Sequence, residues 1–154
     1  MTKLSLQQQF AAKSICFGCG PANEHGFQVN SFVVGNKVIA HWKAKPYHNA
    51  FPNVLNGGVI GTLLDCHCNW AGAWYLMQDQ QLTQPPCTVT FEYTIKLLRP
   101  TPMDAEITLE AELEAIQGNR VIVTGKLITN EKVHDTCRGT FVAINESHPA
   151  FHRW

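Results

Sequence analysis

The most regular signal along the chain is alternation. From Cys87 to Leu98, the residues Val89, Phe91, Tyr93, Ile95 and Leu97 alternate with Thr88, Thr90, Glu92, Thr94 and Lys96, the period of a strand with one buried face. Glu106–Ile116 repeats the pattern, with Ile107, Leu109, Ala111, Leu113 and Ala115 set against Thr108, Glu110, Glu112 and Glu114. A glutamate-rich run can be helical, but the unbroken period of two selects a strand with one face in water. Gly118-Asn119 reads as a hairpin turn into Arg120–Thr129, and Asn130-Glu131 separates that strand from a last one over Val133–Ile144. Upstream, Phe27–Val34 and Lys37–Ala44 have β-type composition around Gly35-Asn36, a further hairpin signal.

Between these groups the pattern changes. From Gly57 to about Met77 the chain is apolar on nearly every helical face, and a helix of that kind is wrapped by other structure. Two strands, one long buried helix and four strands in antiparallel meander predict an α+β architecture: a twisted antiparallel sheet around one central helix. Residues 16–26 and 45–56 read as loops, and 78–86 as a surface loop closed by prolines. Residues 1–15 read as a polar tail or short helix and 146–154 as a C-terminal tail. Residues 1–154 are expected to form a single domain, since neither a repeat nor a second boundary is visible.

Charge removes several functions from consideration. Twelve basic and twelve acidic side chains cancel, with no block of either sign, so no binding to nucleic acid or to an anionic membrane is expected. The apolar stretch from Val59 to Met77 is interrupted by Asp65, His67 and Asn69 and is not a membrane span. The opening residues lack the apolar core of a signal peptide, so a cytoplasmic protein is expected. Its six cysteines should then be reduced. Cys16-Phe-Gly-Cys19 has zinc-ligand spacing, and Cys66-His67-Cys68 would have to supply the second half. Cys66 and Cys68 lie on opposite sides of a helix, so packed free thiols, with no metal and no redox pair, are the expectation.

The candidate chemistry sits at the start of the helix. Asn56-Gly57-Gly58 leaves backbone N–H groups bare at a helix N-terminus, where developing negative charge is stabilised. Asp65, set among Leu63, Leu64 and Trp70, is costly there unless it is hydrogen-bonded or used. A satisfied carboxylate would find Thr62 or Asn69 as helical neighbours. His67 points away from Asp65 and reads as a packed histidine. His48 lies in a loop, where a polar residue is more often functional.

Two stretches carry a resemblance. LNGGVIGTLLD at 55–65 is similar to the helix start of hotdog-fold acyl-CoA thioesterases of the phenylacetate-type branch, where Leu-His-Gly-Gly is followed by an aspartate. TFEYTIKLLRP at 90–100 is similar to the strand of that branch that ends in a Leu-Arg-Pro turn. The CFGCGPANEHG opening resembles a subgroup with a short cysteine-containing N-terminal extension. The resemblance implies a hotdog fold assembled as a homodimer or a dimer of dimers, with acyl-CoA as substrate and no cofactor beyond the coenzyme A of the substrate itself. It implies that the Gly57 N–H polarises the thioester carbonyl, beside Gly58, and that Asp65 is the nucleophile or the base that activates water. Thr90 falls where the family lines its site with Ser or Thr, and His48 and Asn49 are candidates for a polar loop residue near the carboxylate. Asn56 departs from the pattern, because it replaces a histidine and cannot titrate near neutral pH.

Helix geometry adds a constraint of its own. Gly58 and Asp65 are seven residues apart, or about 10 Å along a helix. One thioester carbon cannot meet both within one chain, so a shared site needs a second copy of the helix. Two other readings remain: a non-catalytic acyl-CoA binding or sensing protein, which the missing histidine leaves open, and an acyl-thioester hydratase or dehydratase, which would need a His–carboxylate pair.

Overall fold

The computed structural model of the protein describes residues 2–151. Its elements are α1 (Leu6–Phe10), β1 (Phe32–Val34), β2 (Lys37–Trp42), a 3-10 turn (Pro46–His48), β3 (Asn49–Phe51), β4 (Val54–Leu55), α2 (Gly57–Asp79), β5 (Thr88–Leu97), β6 (Ile107–Gln117), β7 (Arg120–Thr129) and β8 (Lys132–Ala143). Strands β1, β2, β6, β7, β8 and β5 form, in that order, one antiparallel six-stranded sheet that packs on α2. This is the hotdog arrangement. β3 and β4 pair separately as a short ribbon ahead of the helix. The last three residues of the expected C-terminal tail lie outside the described residues.

The helix is wrapped as its composition requires. Leu63, Leu64, Cys68, Ala71, Ala73 and Leu76 are fully buried, against Val38, Leu109, Val121, Val123 and Phe141 of the sheet. No described helix is long and apolar enough to cross a membrane. All three hairpin turns form: Gly35 and Gly118 each have a φ of 63°, and Asn130 and Glu131 have φ values of 50° and 62°. Positive φ at both central residues matches the twist of the β7–β8 pair.

Three expectations are corrected, and one open alternative is decided. The first strand is shorter than its composition suggests. Phe27 and Val29 leave the ladder and donate instead to the Phe17 and Gly18 carbonyls at 2.9 and 3.1 Å, with Val29 1% exposed and Phe27 set edge-on to Trp42, whose Nε1–H donates to the Phe27 carbonyl at 3.0 Å. Of the two readings of the N-terminal stretch, the short helix forms: Ser5 and Gln8 make a capping box, and Gln7 is buried with its side chain bonded to Ser31. The 45–56 loop contains two short strands. On β5, Phe91, Tyr93 and Leu97 are exposed rather than covered by the helix. β5 is an edge of the sheet, and its register against β8 shifts between Thr90 and Glu92. A bulge at an edge re-aims the side chains beside it.

His67 is fully buried, with Nδ1 2.9 Å from the Ser31 hydroxyl and Nε2 2.9 Å from the Val38 carbonyl. The carbonyl can only accept, so Nε2 carries the proton and Nδ1 accepts from Ser31. Burial lowers its pKa from 6.5 to about 4. The folded state therefore binds fewer protons than the unfolded one between these values, and the neutral ring stabilises the fold above pH 6.5. That contribution is lost as pH falls from 6.5 toward about 4. Replacing His67 by Gln, which can also donate and accept, is expected to flatten the pH dependence of Tm in this window relative to the native chain. Parallel Tm–pH curves for the two proteins would contradict it.

Candidate active site

Helix α2 begins where Asn56 stops being helical. Its φ of −63° and ψ of 134° are extended, and its side-chain Oδ1 accepts from the N–H groups of Gly58 at 2.7 Å and Val59 at 3.4 Å. Asn56 is thus the N-cap. Two of the first-turn donors are used by this cap, and among the described residues the Gly57 N–H has no partner. That group is the one free to bind an oxygen. The Gly58 N–H is taken, and what Gly58 adds is its missing side chain, since a Cβ there would crowd Asn56 Oδ1 at 3.0 Å. Asn56→Ala is expected to lower stability by about 1 kcal/mol through loss of the cap, read as a shift in the denaturant midpoint at unchanged slope. An unshifted midpoint would show that the cap contributes nothing.

The preceding loop brings His48 and Asn49 to the same place. His48 stacks on Trp42 with ring centroids 5.3 Å apart and meets Phe27 and Tyr47 edge-on. Its Nδ1 accepts from the Lys45 N–H at 3.0 Å, while its carbonyl accepts from the Asn56 N–H at 3.0 Å. Desolvation, then the Lys45 charge, lower the His48 pKa, so the ring is neutral with its remaining proton on Nε2. His48, Asn49, Asn56, Gly58 and Tyr47 line one cavity of about 400 Å³. Gly57 faces a second of similar volume, about 400 Å³, beside Leu97, Leu98, Arg99 and Pro100. The Leu-Arg-Pro turn there is tied down by β8. The Leu98 and Arg99 N–H groups donate to the His134 carbonyl, and Thr101 donates to the buried Asp135 carboxyl at 2.6 Å.

Two turns further along the helix, Asp65 is half-buried and accepts from the Thr90 hydroxyl at 2.7 Å. Thr90 stands at the β5 bulge, which places its side chain over the helix. The helical neighbours offered by the sequence have other partners: Thr62 donates to the Gly58 carbonyl at 3.0 Å, and Asn69 accepts from Thr88. Asp65 and Thr90 line a cavity of about 310 Å³ that includes neither glycine of the helix start. The separation expected from helix rise is therefore present in the structure. One cluster holds the bare N–H, the other the carboxylate, and one chain does not bring them together.

Sequence reasoning missed the cysteines of the Asp65 cavity. Cys66 stands beside Cys68 in the chain, but in the fold it faces Cys16 and Cys19 on the N-terminal loop, and all three line this cavity. No local signal marks a contact across 50 residues.

No protein-family model matches the chain, and comparison with curated proteins finds no match. Solved structures do match. A thioesterase superfamily protein from Shewanella loihica is 28% identical, with a TM-score of 0.66 over 81% of this chain and 98% of the other. The PaaI protein of the E. coli phenylacetic acid degradation operon superposes with a TM-score of 0.65 at 15% identity, over 77% of this chain and 81% of the other. A Streptococcus mutans protein solved bound to acetyl CoA gives a TM-score of 0.63 at 12% identity, over 76% and 89%.

Proposed function

We propose that this hotdog-fold chain of the thioesterase superfamily is an acyl-CoA thioesterase that hydrolyses its substrate to the free acid and coenzyme A. The observation that carries the reading is the Asp65–Thr90 pair at a cavity wall, with a donor-bearing helix start elsewhere on the same helix. The thioester carbonyl oxygen accepts from the Gly57 N–H, where the positive end of the helix dipole adds to the stabilisation. Asp65 attacks the carbonyl carbon or takes a proton from a water that does so. Thr90 holds the carboxylate in one orientation by donating to it. The C–S bond breaks and coenzyme A leaves as the thiol; where Asp65 is the nucleophile, water then cleaves the acyl–Asp65 anhydride, and where it is the base, the activated water has already supplied the oxygen of the acid.

Two copies of the chain complete the site in this reading. Gly57 and Asp65 are eight residues apart, or about 12 Å along the helix, so the carboxylate acting beside one Gly57 belongs to the neighbouring copy. The open edge of β5 and its exposed Phe91, Tyr93 and Leu97 support such an assembly. A reducing, cytoplasmic setting fits six cysteines that are all free.

Thiol release from a panel of acyl-CoAs that differ in acyl length and aromaticity tests the proposal. Hydrolysis of at least one member supports it. Saturable acyl-CoA binding without thiol release would assign the chain to the binding and sensing class. The hydratase reading is disfavoured because His48 keeps Nδ1 on the Lys45 N–H and lines a cavity apart from Asp65.

A further inference from the structure

The three sulfurs of Cys16, Cys19 and Cys66 lie within 4.8 Å of one another. Cys16 Sγ and Cys66 Sγ are 3.8 Å apart. A tetrahedral zinc with Zn–S bonds of about 2.3 Å requires sulfurs about 3.8 Å apart. The distance is also too long for a disulfide bond and of the order of a packed thiol contact, so spacing alone does not decide the matter. The surroundings do.

A donor meets the sulfurs from the helix: the Trp70 Nε1–H donates to Cys19 Sγ at 3.3 Å. A buried neutral thiol needs no such donor, whereas metal-bound thiolates are commonly supported by one. The loop is also shaped for close approach. A Cβ on Gly18 would overlap Cys66 Sγ and Thr62, and one on Gly20 would strike the Ser14 carbonyl and the Cys16 backbone. Gly20 in turn closes the loop by donating to the Cys16 carbonyl at 2.8 Å. Cys-x-x-Cys-Gly is thereby folded into a tight knuckle that presses two sulfurs onto a third, on the central helix.

We propose that Cys16, Cys19 and Cys66 bind one zinc ion through three sulfurs, with water in a fourth position that opens on the Asp65 cavity. Three sulfur ligands select zinc over the hard divalent cations. Among the described residues no fourth His, Cys, Asp or Glu ligand atom joins the cluster. Cys68 is excluded because it packs against Cys137 and Gly125 on the other side of the helix. Zinc displaces the thiol protons as it binds. Its effect is to pin the N-terminal loop against α2, one residue from Asp65. This site is independent of the reaction proposed above, since all of its ligands come from one chain and none is assigned to the chemistry.

The test uses the full chain, prepared under reductant and titrated with cobalt(II) and then zinc. One cobalt per chain is expected, with sulfur-to-metal charge-transfer absorption and the intense visible bands of a tetrahedral site, displaced mole for mole by zinc. Cys66→Ser should abolish those bands and weaken zinc binding by at least ~100-fold, beyond the loss of an outer-shell partner, while Cys87→Ser leaves both unchanged. Absence of charge-transfer absorption in the reduced native chain would overturn the proposal, and needs no variant to fold. So would bands that persist in both Cys16→Ser and Cys66→Ser, or air oxidation to a Cys16–Cys66 or Cys16–Cys19 disulfide in a chain whose reduced form binds no cobalt.

Discussion

Replacing Asp65 by Asn slows thioester hydrolysis by at least ~100-fold while leaving acyl-CoA binding and the fold in place, the scale of losing a catalytic base or nucleophile. The substitution is chosen for its geometry. Asn is nearly the shape of Asp, and its amide oxygen can still accept the Thr90 hydroxyl that now lies 2.7 Å from Asp65 Oδ1. Asp65 is only half-buried, so exchanging a charge for an amide does not leave an unpaired ion in the core. What disappears is the capacity to attack a carbonyl or to accept a proton from water. The loss should therefore fall on kcat, with KM little changed. Turnover near the native rate in Asp65→Asn would remove Asp65 from the mechanism. A parallel fall in Tm would instead assign the residue to the fold.

The elements that were legible in the sequence are those whose side chains report their own surroundings. The bounds of β7 are legible residue for residue because its burial alternates along its whole length, and those of β6 and β8 to within two because turns close them, although their burial alternates over only part of each strand. The helix was legible from its all-round apolar character. β5 carried the same alternation and misled, since its apolar face lies at an open edge where Phe91 and Tyr93 stay exposed. The first strand misled for a related reason: Val29 is buried and Phe27 partly so, but by rings and loops rather than by a ladder. The capping box of α1 was present in Ser5-Leu-Gln-Gln8 and went unread. At the candidate site, local chemistry was enough to single out Asn56, Gly57 and Asp65, and the structure makes Asn56 the helix N-cap and pairs Asp65 with Thr90. Cys66 was different. Its meaning depends on two residues 50 and 47 positions earlier, brought together by a loop with no periodicity to follow.

Mixing two inactive variants should restore activity if the site is shared. In Gly57→Pro the N–H proposed to bind the carbonyl oxygen is deleted. The structure indicates that this variant folds. Position 57 is the first residue of α2, where proline is well tolerated. Asn56 already has the extended backbone, with ψ of 134°, that a residue before proline requires. No intrachain hydrogen bond is lost among the described residues, and the nearest atom to an added Cβ is the mobile end of Leu97, at 3.2 Å. Gly57→Ala, which adds the Cβ and keeps the N–H, controls for crowding and should retain most activity. Asp65→Asn and Gly57→Pro are each expected to be nearly inactive alone. A mixed dimer then has one site with both defects and one with neither. Random pairing makes about half the dimers mixed, so co-expression should recover about a quarter of native activity from a two-fold assembly. If each chain built its own site, every site would keep a defect and no activity would return. Absence of rescue, with mixed dimers confirmed by mass and Gly57→Pro shown to be folded, would exclude the shared site. It would leave the roles of Asp65 and the Gly57 N–H to be judged by the single variants.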